Sequence, residues 1–138
     1  MASGPVFDAV KSFLETNWTA TPLRFENEPF ELTGVAFVDV EMTGTAYGQE
    51  SIGASLQNDN RWDEEGVLWL HVLVPVNTGG SQVRTYAKQI ADLFRGLTLI
   101  SGGLEFRDAF IGRGQPGFED GAYYRVSVYQ KYRWMDVS

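Results

Sequence analysis

Residues 112–117 read GRGQPG, which satisfies G-x-G-x-x-G, and Asp136 follows about twenty positions later. In a dinucleotide-binding loop those glycines close a tight turn after a strand, and a helix then aims its first N–H groups at a pyrophosphate. Here the segment after the glycines alternates Tyr124, Val126, Val128, Tyr132 and Trp134 at strand period. No helix follows, so the nucleotide chemistry fails. The glycines are read instead as the tip of a hairpin, with Gly112, Gly114 and Gly117 allowing sharp turns and Pro116 presetting one.

Other candidates dissolve in the same way. The turn NTGGSQVR joins a strand to a helix, as an anion-binding loop does, but it lacks the lysine and hydroxyl of G-x-x-x-x-G-K-[ST]. A calcium loop counted back from Gly66 would put Arg61 in the leading ligand position. His71 is the only histidine and there is no cysteine, which removes histidine-pair zinc sites, thiolate metal sites, disulfides and a cysteine nucleophile. Its position in a strongly apolar strand makes His71 a packed or sheet-face residue. Asp39, Glu41, Asp63 and Glu64 could pair as carboxylates only through folding, since nothing in their spacing brings them together. No catalytic residue, cofactor or metal is expected, and the chain reads as a non-enzyme.

The formal charge of −7 on 138 residues argues against a nucleic-acid grip, which needs a basic excess or stripe. Lys and Arg are scattered, apart from Lys131 and Arg133 on one late strand. The acids gather at Glu26, Glu28 and Glu31, at Asp63, Glu64 and Glu65, and at Glu119 and Asp120, where solvated loops are expected. No apolar run approaches the ~18 residues of a membrane span, and the first residues lack the pattern of an export signal, so a soluble cytoplasmic protein with no membrane partner is expected.

The elements that would position any site follow from periodicity. Pro5 suits a first helical position, and Val6, Val10, Phe13 and Leu14 recur at helical spacing. A connector follows, with a short strand near residues 23–25. VAFVDVEM alternates as a strand with one wet face, Gly44 marks a bend, TAYGQESIGASLQ is a weak strand, and NDNRWDEEG is a polar loop. VLWLHVLVPV reads as the central strand, ended by Pro75. In SQVRTYAKQIADLFRG, Val83, Tyr86, Ala87, Ile90, Ala91 and Phe94 make one apolar stripe, with Thr78 or Ser81 as cap and Gly96 as stop. LEFRDAFI and AYYRVSVYQKYRW close the chain as a β-hairpin. The length suits one domain, 1–138. The class is α+β: a mostly antiparallel sheet with two α-helices packed on one face and a closing hairpin.

What remains is a protein without visible chemistry, which favours interaction. Two long polar loops, around 43–65 and 112–121, carry large side chains. Tyr47, Trp62, Phe118 and Arg113 are the interface candidates, chosen by loop position and residue type, although such aromatics also pack onto their own sheet. A rival reading is a small-molecule pocket or minor enzyme site around Trp69, Tyr124 and Trp134.

The order of an amphipathic helix, VAFVDVEMTGTAYGQES, a polar loop, GVLWLHVLVPVNTGG, the helix QVRTYAKQIADLFRG and a final aromatic strand resembles the phage tail terminator-like proteins over nearly the whole chain. The resemblance lies in pattern and spacing. It implies a homo-oligomeric ring, usually a hexamer, that caps the finished tail tube, stops further tube subunits adding and presents its other face to the head-tail connector or completion protein. It implies assembly in the host cytoplasm, residence in the virion tail, and DNA that passes through the ring without specific binding. A neighbouring head-tail completion protein would share this ring logic.

Overall fold

The computed structural model describes residues 4–28, 30, 35–49, 62–77, 79–100, 103–116 and 123–136, with the side chains of 44–49, 62, 113–116 and 136 left aside. Helix α1 is Gly4–Asn17, then come β1, Leu23–Arg24, β2, Phe37–Gln49, and β3, Trp62–Pro75. Helix α2, Gly80–Phe94, precedes β4, Thr98–Leu99, β5, Leu104–Pro116, and β6, Tyr123–Asp136. The six strands form one curled sheet in the order β1-β2-β3-β6-β5-β4, antiparallel at every pairing except β1 with β2.

Strict alternation assigns the faces. Val38, Val40 and Met42 of β2, Leu68, Leu70, Val72 and Val74 of β3, and Val126, Val128 and Tyr132 of β6 point one way. They meet Val6, Val10 and Leu14 of α1 and Val83, Ala87, Ile90 and Phe94 of α2 in a single core. Each helix thus buries the stripe its 3.6-residue period sets out, and each strand the stripe set by period two. Phe94 is held between Phe13 and Phe106, ring centroids 5.2 and 5.0 Å away. A smaller cluster, Phe37, Leu73 and Tyr123 with Phe30 against it, lies on the opposite face near one end.

Several expectations need correction. TAYGQ is no separate weak strand: β2 runs on through it past an irregularity between Gly44 and Ala46. Residues 62–65, expected in a polar loop, begin β3. GRGQP is not a hairpin tip, because β5 continues through it and pairs Gly114, Gln115 and Pro116 with Val126, Arg125 and Tyr124. Glycines at 112 and 114 serve an irregularity in the ladder between Ile111 and Gly114, since an extra residue needs local freedom of the backbone. Gly79 is the N-cap of helix α2 and no side chain caps it, Ser81 lying inside the first turn and Thr78 outside the described residues. Gly96 ends it as expected, with φ of +69°.

Candidate functional site

The helices cover one face of the sheet, and the other bears a row of large side chains. Cross-strand register puts Glu41, Trp69, Tyr129 and Phe110 side by side on β2, β3, β6 and β5. Tyr129 lies 5.0 Å from Trp69 and 4.8 Å from Phe110 between ring centroids, the second pair stacked at 15°. In the adjacent row are Asp39, His71 and Ser127. His71 stacks on Trp69 at 5.8 Å and shares a hydrogen bond of 2.7 Å between Nδ1 and Ser127 Oγ. Its Nε2 is 3.7 Å from Glu41 Oε1, an ion-pair distance beyond hydrogen-bond reach. Burial first, and then Arg125, push the His71 pKa below its ordinary value, against the opposing pull of Glu41 and Asp39. The ring is therefore a neutral member of the sheet face, as its strand position suggests.

Charge on this face is largely paired. Arg24 reaches Asp39 through Nε and a terminal nitrogen, at 3.1 and 3.0 Å, and lies 5.0 Å over the Phe37 ring. Arg133 holds Asp63, whose side chain is only 1% exposed. On the helix side the Tyr132 hydroxyl donates to Glu64 at 2.8 Å, and burial together with that carboxylate raises the tyrosine pKa far above its usual range. Asp63 and Glu64 thus depart from the expected solvated loop: buried in β3, they have a cationic or hydroxyl partner on β6. A single strand's letters carry no sign of this, because the partners are 70 and 68 residues away.

The interface candidates do not form one patch. Tyr47 and Trp62 lie at the same end of the β2–β3 ladder, where Tyr47 faces Glu64 and Gln49 faces Trp62. Arg113 lies on β5 toward the other end of the sheet, and Phe118 lies outside the described residues. Tyr47, Trp62 and Arg113 are strand positions, where loops were expected. The aromatic pocket does not assemble: Trp69 belongs to the open face, while Tyr124 and Trp134 pack against the helix-side core. Among the described residues no group of three His, Cys, Asp or Glu could hold a metal, and no helix is long and apolar enough to cross a membrane.

A groove of 630 Å³ runs between α2 and β5, lined by Lys88, Asp92, Arg95, Phe106, Phe110 and Gln130 among others. Gln130 is fully buried and donates through Nε2 to the carbonyls of Phe94 and Arg107, at 3.1 and 2.8 Å. Two acceptors fix which end of the amide is nitrogen. These bonds tie β6 to the end of α2 and to the irregular stretch of β5.

No curated protein matches the chain. Several solved structures are similar, among them one matched over 100% of this chain and 98% of its own, with a TM-score of 0.69 and 21% identity, a likeness that shows the fold alone. The family model described as phage tail terminator protein matches residues 5–132, from the first turn of α1 to Tyr132 on the last strand. The match spans both helices and nearly all of the sheet, so the chain belongs to the phage tail terminator family, structural proteins of the virion tail.

Proposed function

We propose that the protein closes the tail: copies join in a ring, taken as a hexamer, that sits on the finished tube, stops further tube subunits adding and offers its other face to the head-tail connector. Assembly takes place in the host cytoplasm, and the work is done by surfaces, without catalysis. The observation that carries this reading is the family match over residues 5–132. The fold supports it. Four long strands give the sheet two distinct ends, one holding Gln49 and Trp62 and the other Pro116 and Tyr123, which suits a subunit touching different partners above and below. A head-to-tail ring closes by rotation and leaves such ends unlike each other.

Deleting the gene from an inducible prophage and imaging the lysate by electron microscopy tests it. Tubes of uncontrolled length without heads are expected, with normal tails restored by supplying the protein in trans. Tails of unchanged length that join heads normally would refute the reading.

A further inference from the structure

The sheet has two long edges, and among the described residues each is covered only at one end. Strand β1 pairs with Val38 and Asp39 of β2, leaving residues 40–49 without a partner on that side. Strand β4 pairs with Leu104 and Glu105 of β5, and the Phe106 N–H still donates to Leu97, leaving residues 107–116 bare. Open edges present rows of backbone donors and acceptors that invite another strand. Phe110 and Ile111, both 42% exposed, stand on the β5 edge, on the regular stretch between its two irregularities.

Resting on the ring reading above, we propose that the β5 edge of one copy pairs with the β2 edge of a second copy, so that the sheets of the ring continue into one another. Strand direction supports this. Between the edges lie β2, β3, β6 and β5, all antiparallel, so β2 and β5 of one copy run in opposite directions. Copies related by rotation about one axis keep the same sense along it. A neighbour's β2 placed beside β5 is therefore antiparallel, and the alternation continues without a break. The irregularities in β2 and β5 add the curvature that closing a sheet requires.

The faces limit the register. Phe110 shares the open face with Tyr129, and so do Glu41 and Thr43 by alternation along β2. Directly opposed residues must share a face, because a one-residue slip turns every side chain over. On the regular stretch of β2 before the irregularity at Gly44, Phe110 therefore faces Glu41 or Thr43 of the next copy. The regular stretch, residues 109–111, is short, so pairing is weak in free protein and completes where a tube end gathers the copies.

The absence of cysteine makes the test clean. Within one copy β2 and β5 are three strand spacings apart, about 14 Å, too far for a disulfide. Phe110→Cys combined with Glu41→Cys or with Thr43→Cys, oxidised at high concentration and with tail tubes, is expected to give a ladder of linked copies. The single-cysteine variants should give none. Ile111→Lys should lower the multimer fraction by about tenfold or more with an unchanged melting temperature, since Ile111 is exposed and a lysine blunts an edge. Rings that form in the unmodified protein but resist Ile111→Lys and give no ladder would overturn the edge pairing and leave the ring standing. Absence of multimers by light scattering at every concentration and on tubes would overturn both.

Discussion

Gly66 faces Gly44 across the β2–β3 ladder, and the space beside it is taken. A methyl group there would lie 2.5 Å from the Thr43 carbonyl oxygen and 2.6 Å from the Tyr132 hydroxyl. That hydroxyl donates to the buried Glu64, so it cannot withdraw without giving up that hydrogen bond. Gly66→Ala is accordingly expected to cost roughly 1–3 kcal/mol, read by chemical denaturation, and an unchanged midpoint would show that the Tyr132–Glu64 contact is loose. His71 answers to pH. Its folded pKa is depressed, so below about 6.5 the unfolded chain binds a proton that the folded chain resists. Stability is whole above that value and is lost as pH falls through it toward the folded pKa. Melting temperatures from pH 8 to pH 5 should therefore fall more steeply in the unmodified protein than in His71→Gln. Parallel curves would show that the imidazole is not held neutral.

Helix α2 was legible because its apolar stripe repeats at one period and Gly96 stops it, and the structure buries Val83, Ala87, Ile90, Ala91 and Phe94 along that stripe. Phe94→Ala should cost about 3–5 kcal/mol by equilibrium unfolding, because the ring is fully buried between Phe13 and Phe106. A loss below ~1 kcal/mol would mean that the core refills the space. The ends of the long strands were not legible. Residues 62–65 and 112–116 carry acids, glycines and a proline, the composition of loops, yet a partner strand on one side is enough to hold them extended. Local propensity cannot see that partner. Deleting residues 112–116 thus removes the rungs from Gly114 to Pro116, and the melting temperature should drop by at least ~5 °C. An unchanged melting temperature would restore the reading of GRGQPG as a dispensable tip. Residue type marked the interface candidates, and strand register, which the letters do not show, sets Tyr47 and Trp62 apart from Arg113.

As a whole molecule the chain carries a formal charge of −7, so a sixfold ring would carry 6 × −7 = −42 and repel a phosphate backbone. The challenge to that expectation comes from the open face, where Lys131 and Arg133 alternate with Tyr132 and Trp134 and would form a basic collar if this face lined the channel. The pairing weakens the challenge. Arg133 is bound to Asp63 and Arg24 to Asp39, so each of these two cations meets a carboxylate directly. Glu41, Glu65 and Glu105 share the face with Lys131 and Arg125, so acids are interspersed with the remaining cations. In the proposed ring, a face of that kind would let a polyanion slide without holding it. In an electrophoretic shift at ~50 mM salt, duplex DNA should run unretarded at every protein concentration. Retention that raised salt relieves and Lys131→Glu abolishes would show that the exposed lysines act together as a collar, and would make the protein a DNA-holding component of the neck.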